Sequence, residues 1–188
     1  MLGAMPQEPP RRRPLTAASL ENAALHYLQR FATSSENLRR VLMRRVERSA
    51  RLDGADRDAG AALVDALVAR YLRAGLLDDA TYAAARTRSL HRRGLALRAI
   101  AGKLAERGVD GATIGAALAG LRDEMPDADL AAAVAYARRR RLGPFRPADL
   151  RPAHRDRDLA AMARAGFSYD VATRVTDAAS VADIEALI

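Results

Sequence analysis

Two adjacent acids, Asp78 and Asp79, are the first candidates for chemistry in this sequence. A pair of carboxylates can serve as general acid and base when both side chains face one substrate. Adjacent residues on a helix point about 100° apart, so the two carboxylates do not face the same substrate. Acids here suit a helix start, where a carboxylate caps free N–H groups and meets the positive end of the dipole. The pair therefore predicts a helix cap.

The other reactive residue types are too scattered to form a recognisable site. The histidines His26, His91 and His154 show no pairing at metal-ligand spacing. The segment GKLA at 102–105 lacks the glycine spacing and the Ser or Thr of a phosphate-binding loop. No serine lies in a nucleophile elbow, and there is no cysteine. These observations predict a protein that is not an enzyme and that uses no metal or other cofactor.

Guanidinium groups are the abundant functional groups of this chain. It has 31 Lys and Arg against 23 Asp and Glu, a formal net charge of +8. That balance favours polyanionic or acidic partners, such as nucleic acid, a nucleoprotein or an anionic membrane surface. An alternative is that an alanine- and arginine-rich genome fills its solvated positions with arginine, although this does not explain the net charge. The candidate contacts form two arginine groups: Arg86, Arg88, Arg92, Arg93 and Arg98, and Arg138, Arg139, Arg140 and Arg141. Apart from Arg86, and together with His91, they are the densest positive charge of the folded part.

Two explanations of these groups remain open. Arginines at the end of a helix belong to an ordinary solvated face and complement the helix dipole. Alternatively, two such groups at equivalent places in a repeated structure line one binding edge. Arg86 and Arg140 each follow a tyrosine by four residues, which places them inside an apolar arc. Either the aliphatic parts of these two side chains pack over a thin alanine core while the guanidinium groups lie in solvent, or the side chains face a groove.

The composition predicts the elements that must position these arginines. Alanine, the strongest helix former, dominates the apolar residues, whereas Val, Ile and Thr are too few for a large sheet. Hydrophobic spacing and stop signals predict nine helices, so the fold class is all-α. No run is long enough to span a membrane. Residues 1–15 read as a flexible basic tail rich in Pro and Arg, and a cytoplasmic location is expected.

Three further features are predicted from short segments of the sequence. Ser19 is a plausible N-cap for the first helix, whose apolar row is Leu25, Leu28 and Phe31. The segment LDGADRDAG at 52–60 reads as a loop from its Gly and Asp content. The final stretch, SVADIEALI, reads as a short acidic end that closes the chain.

A repeat organises the nine helices. Tyr27, Tyr82 and Tyr136 are nearly evenly spaced and each is expected mid-helix. The segments KLAERGVDGATI and AMARAGFSYDVA both run from a helix through Gly, a hydrophobic residue and a capping residue into a new helix. We therefore expect an elongated array of three tandem three-helix, helix-turn-helix-like repeats, at 16–75, 76–125 and 126–188, the last with a short C-terminal segment. Each repeat is too small to bury its own apolar face and must stack on a neighbour.

The middle of the chain carries GLLDD at 75–79, Tyr-Ala at 82–83 and an arginine-rich end at 86–93. This segment resembles the signature segment of the RecX family of regulatory proteins. It continues through Arg98, Ile100, Leu104, Arg107, Gly108 and Val109. YLQRFATSSENLRRVL at 27–42 is similar to the family's first-repeat helix pair, and ARRRRLGPFR at 137–146 to its third-repeat entry. The likeness covers roughly residues 20–178.

The resemblance implies a modular helical protein that binds the RecA recombinase. Such a protein would lie along the groove of the recombinase filament on single-stranded DNA and inhibit its recombinase, ATPase and co-protease activities. A monomer without membrane contact is expected, and the two arginine groups are the candidate contacts. The alternative is a direct DNA-binding helical module whose arginine clusters grip phosphates.

Overall fold

The computed structural model describes residues 15–186, and every regular element in that range is helical. The predicted all-α class is therefore confirmed for this range. The predicted tail, apart from Leu15, lies outside the described residues. The chain divides into two compact units, Met1–Leu77 and Asp78–Ile188. This boundary lies two residues after the predicted end of the first repeat, while the division of the rest into two repeats stays a prediction.

The first unit contains three helices, and its core is formed where their apolar faces meet. Its helices are α1 (Ala17–Leu28), α2 (Ser35–Asp53) and α3 (Arg57–Arg73). The largest fully buried side chains are Leu20 from α1, Leu38 and Leu42 from α2, and Val64 from α3. Gly60 of α3 allows a close approach, because a Cβ there would lie 2.6 Å from Val46 Cγ1.

Several local predictions for the first unit are wrong. Thr16 is the N-cap of α1, and Ser19 is its reciprocal partner at the third helical position, in a capping box. Leu25 and Phe31 are exposed, since the buried face of α1 is built on Leu20 and Ala24. Tyr27 lies near the end of α1 and not in its middle.

The predicted loop at 52–60 is also much shorter in the structure. Only residues 54–56 are non-helical. Gly54 ends α2 in the left-handed conformation, with φ +67°, and the Asp56 side chain accepts hydrogen bonds from the first free N–H groups of α3. The Gly and Asp content that suggested a loop is therefore the C-cap of one helix and the N-cap of the next.

The second unit contains the remaining helices around two apolar clusters. Its helices are α4 (Asp79–Arg92), α5 (Leu97–Glu106), α6 (Gly111–Glu124), α7 (Ala128–Arg140), α8 (Arg151–Arg164), α9 (Tyr169–Thr176) and α10 (Val181–Glu185). One cluster lies among α4, α5 and α6, centred on Ile100 and Leu104. The other lies among α7, α8, α9 and α10, centred on Met162 and Val175. Ala96, which precedes α5, packs in this second cluster, so the clusters are not independent.

The predicted Gly-turn is present in both halves of the second unit. Gly108 and Gly166 follow α5 and α8 with φ of +75° and +97°. The next residues, Val109 and Phe167, are buried, and their N–H groups donate back to the carbonyl oxygens of Leu104 and Met162. This is the hydrogen-bond pattern that ends a helix in a Schellman motif. The shared turn is therefore confirmed.

Within residues 15–186 the structure has ten α-helices, one more than the nine predicted, and the difference lies at the C-terminal end. The segment GPFRPADLRPAH, at 143–154, forms two 3-10 helices, Gly143–Phe145 and Ala148–Leu150, and its last residues already belong to α8. Pro152 fits there, because proline is tolerated in the first turn of a helix, where its missing N–H has no partner. The acidic end contains the short helix α10, capped by the Ser180 side chain, with Ile184 buried.

Candidate functional site

The helix that presents the first arginine group begins at the paired acids. Asp78 is the N-cap of α4, and its carboxylate accepts from the Thr81 N–H at 2.9 Å and from the Thr81 hydroxyl at 2.7 Å. These hydrogen bonds lower the pKa of Asp78 below its ordinary value. Asp79 is the first residue of α4. The predicted capping role of the pair is confirmed.

The first arginine group covers the C-terminal half of α4 and the start of α5. Arg88, Arg92, Arg93 and Arg98 are exposed, whereas Arg86 is half-buried. Arg88 is also paired within the chain, because its Nε and Nη2 donate to the Glu124 carboxylate at 3.1 and 2.5 Å. The pairing raises the pKa of Arg88 and lowers that of Glu124. Both side chains are about half exposed, so solvent screens this pair.

The end of α4 lies directly against α7. His91 is buried, and its Nε2–H donates to the Ala128 carbonyl oxygen at 2.6 Å. Gly94 follows with φ +73°, and a Cβ there would lie 3.1 Å from both Ala132 O and Tyr136 N. A glycine is needed because an added carbon would meet the backbone of α7. The Arg92-Arg93-Gly94 turn is thereby fixed on the helix that carries the second arginine group.

The second arginine group ends α7, and all four of its members are exposed. Arg138 pairs with Glu185 of α10 and lies over the Phe145 ring. Arg139 and Arg140 both lie over the Tyr136 ring, with the guanidinium carbon 5.8 and 5.9 Å from its centroid. Arg141 is the C-cap residue, in the left-handed conformation with φ 54°.

One contact joins the two groups. Arg139 Nη1 donates to the Arg93 carbonyl oxygen at 2.6 Å, across 46 residues of sequence. The structure therefore brings together the C-terminal ends of α4 and α7, as an edge of exposed guanidinium groups. We call this the α4/α7 edge; it comprises Arg88, Arg92, Arg93, Arg138, Arg139, Arg140 and Arg141. Arg98 lies beyond the turn, on the exposed face of α5.

The predicted equivalence of Arg86 and Arg140 is only partial. Arg86 is half-buried, which agrees with a stem packed on the helix surface, whereas Arg140 is exposed over its tyrosine. Sequence periodicity placed both in one arc, but α4 and α7 have different neighbours. α4 packs mainly against α6, whereas α7 packs against α9 and the 3-10 turn Gly143–Phe145.

A further set of arginines was not singled out from the sequence. Arg44, Arg45, Arg48 and Arg51 are exposed on α2 in the first unit. Arg44, Arg48 and Arg51 follow one another at four and three residues, but this is also the spacing of any solvated helix face. Within residues 15–186 none of these arginines forms an ion pair with a carboxylate, which is a tertiary property.

The described residues offer binding groups and no recognisable catalytic constellation. Within 15–186 no group of three or more His, Cys, Asp or Glu side chains is arranged to hold a metal ion. No helix in this range is long and apolar enough to cross a membrane. Clustered guanidinium groups bind anionic oxygens, such as those of phosphates and carboxylates, through charge-assisted hydrogen bonds. The fold and site thus define an all-helical protein with an arginine-rich edge.

Comparison with known proteins identifies the family. The family model described as "RecX, second three-helix domain" matches residues 78–118, from the cap of α4 into α6. "Regulatory protein RecX" of Myxococcus xanthus (strain DK1622) is 45% identical over 170 residues, 90% of each chain. The protein of the same name from Agrobacterium fabrum (strain C58 / ATCC 33970) is 34% identical over 158 residues, 82% of this chain and 79% of its own. No solved structure matches the chain significantly.

The chain belongs to the RecX family of regulatory proteins. The resemblance read from the middle segment is therefore confirmed. The family model covers most of that segment, including the cap of α4 and the first arginine group.

Proposed function

We propose that this protein binds the filament of the RecA recombinase on single-stranded DNA and lowers its ATPase, strand-exchange and co-protease activities. Membership of the RecX family supports a regulatory role. The observation that carries the proposal is the α4/α7 edge, where arginines 46 residues apart in sequence share one surface. The protein is proposed to bind as a monomer, with the arginines of this edge contacting phosphates and carboxylates of the nucleoprotein filament.

The members of the edge differ in how free they are to meet a partner. Arg88 and Arg138 already pair with Glu124 and Glu185 of the same chain. Exposed ion pairs are worth little, about 0–1 kcal/mol, so these arginines can exchange a carboxylate for a filament group at low cost. Arg92 and Arg140 are exposed at the two helix ends and are the best candidates for direct contact.

Adding the protein to preformed recombinase filaments is expected to lower the rate of ATP hydrolysis as its concentration rises. The physical reason is that a ligand bound along the filament restrains the subunit motions that accompany turnover. Turnover is followed by phosphate release at saturating single-stranded DNA. An unchanged rate at saturating protein, with filament binding verified by co-sedimentation, would contradict the proposed inhibition.

Reversing charge at the edge is expected to weaken filament binding. The double variant Arg92→Glu with Arg140→Glu should raise the Kd roughly tenfold or more, because like charges are then placed against an anionic surface. The matched control is Arg157→Glu with Arg164→Glu, two exposed arginines of α8. Binding is measured by anisotropy of a labelled filament, and far-UV circular dichroism checks the fold.

Three results of this measurement are informative. A loss confined to the edge variant supports the proposal. Equal Kd values for the edge variant and the wild type mean that the edge only solubilises the chain. Equal binding of the wild type to bare and recombinase-coated strands supports the alternative, a direct DNA-binding module.

A further inference from the structure

The outer face of α2 carries a row of arginines at one helical azimuth. Arg40, Arg44, Arg48 and Arg51 are four, four and three residues apart. At about 100° per residue they fall within an arc of about 80°. They point away from the core face of α2, which buries Leu38, Leu42 and Val46. We call Arg44, Arg48 and Arg51 the α2 stripe, because they continue the row beyond Arg40.

The α2 stripe is not neutralised by the chain itself. None of its members takes part in an ion pair within residues 15–186. The nearby acids are engaged elsewhere, because Glu36 pairs with Arg40 and Glu47 with Arg57. Arginines one turn apart repel each other and weaken a helix. A row of like charges therefore opposes the stability of α2, and a polyanion along the row would remove that repulsion.

An aromatic pair lies at the N-terminal end of this row. Tyr27 and Phe31 have ring centroids 5.0 Å apart, and Phe31 is 53% exposed. Asn37 fixes the pair to α2, because its Nδ2 donates to the Tyr27 hydroxyl at 3.2 Å. Asn37 precedes Arg44 by seven residues, which places it within about 20° of the same azimuth. The stripe and the exposed aromatic ring thus follow one line along the surface of the first unit.

We propose that this line binds single-stranded nucleic acid, with phosphates on the α2 stripe and a base stacked on Phe31. A cationic track beside an exposed ring is the combination that holds unpaired strands, since the track follows the backbone and the ring meets a base face. A duplex presents its phosphates but keeps its bases stacked, so it can use only the stripe. This surface belongs to the first unit, whereas the α4/α7 edge belongs to the second, and its binding does not depend on the recombinase.

The stripe is tested by anisotropy of a labelled thymidine oligonucleotide with the full-length chain and no recombinase. The variant Arg44→Gln, Arg48→Gln, Arg51→Gln is expected to bind about tenfold more weakly, with a salt slope smaller by about 2, as three lost phosphate contacts require. The control Arg157→Gln, Arg164→Gln, Arg174→Gln removes the same charge from exposed positions of α8 and α9. It should change the Kd less than twofold. An equal loss in both variants, or none in the first, overturns the proposal.

The stacking residue is tested separately. The chain has no tryptophan, so Phe31→Trp introduces a single indole fluorophore. Its emission should be quenched by the oligonucleotide but not by a duplex of equal length. Phe31→Ala should weaken binding of the single strand about fivefold or more and leave duplex binding unchanged. An unquenched tryptophan, or equal losses for both nucleic acids, overturns the stacking role. Because the recombinase is absent, these outcomes are independent of filament inhibition.

Discussion

The Gly94→Ala variant is expected to unfold with a free energy about 3 kcal/mol lower than that of the wild type. Two costs add. Gly94 has φ +73°, a left-handed conformation that L-residues adopt at a cost of about 1–2 kcal/mol. The added Cβ would also lie 3.1 Å from Ala132 O and Tyr136 N and 3.3 Å from Ala135 Cβ. Backbone atoms of a packed helix cannot give way as a flexible side chain can, so α4 and α7 must separate slightly.

Gly75→Ala separates the two costs. Gly75 has nearly the same backbone conformation, φ +70°, but nothing lies within 4 Å of a Cβ placed there. Its substitution should cost only the conformational part, about 1 kcal/mol. Urea unfolding followed by far-UV circular dichroism measures both variants. Equal losses for the two would mean that the contact with α7 contributes nothing.

Gly94→Ala should also weaken filament binding, because it moves the two halves of the α4/α7 edge apart. The Arg93 carbonyl oxygen accepts from Arg139 one residue before Gly94, so a shift of this turn breaks the contact between the two arginine groups. Binding is compared below the unfolding transition of the variant. Wild-type affinity in a variant that is destabilised but folded would show that the spacing of the two groups is unimportant.

Asp158→Ala is the second change with a large expected effect, a loss of about 3 kcal/mol. Asp158 is buried in α8, and its carboxylate accepts from the Gly143 N–H and from Arg146 Nη2, each at 2.9 Å. Removing it leaves the Gly143 N–H without its partner and Arg146, whose side chain is 20% exposed, without its counter-ion. These groups hold the 3-10 turn after α7 against α8.

Asp156→Ala is the matched control on the same helix. The Asp156 side chain is 98% exposed and lies 3.8 Å from Arg155, so its loss should change stability by less than about 0.5 kcal/mol. Asp158→Asn keeps one acceptor oxygen and removes the charge, and an intermediate loss is expected. Urea midpoints compare the three variants. An Asp158→Ala variant as stable as Asp156→Ala would contradict a stabilising role for the buried pair.

Local features of this protein were largely readable from its residues. The caps at Asp78 and Asp110 act over three residues, and the turns at Gly108 and Gly166 close hydrogen bonds within the same short span. Such contacts depend on neighbours in sequence, so residue type is enough to predict them. The same reasoning failed at residues 52–60, where capping residues lie so close together that they read as a loop.

Burial was harder to predict where helices are rich in alanine. Leu25 and Phe31 fall on a plausible apolar row, yet both are exposed, because α1 packs through Leu20 and Ala24. When alanine occupies much of every face, periodicity does not say which face is covered. The packing of the neighbouring helices decides which face is covered, and in the first unit it leaves Phe31 exposed beside α2.

The sequence by itself determined that the chain is helical, that Asp78 caps a helix, and that the chain belongs to the RecX family. Only the tertiary structure decided which charged side chains contact which partners. The contact between Arg139 and Arg93 spans 46 residues, and the pair of Arg146 with buried Asp158 spans 12. Neither follows from local spacing, because each depends on how helices pack and which side chains that packing removes from water. Among the residues that the structure describes, the same packing leaves the α2 stripe without an ion pair to a carboxylate.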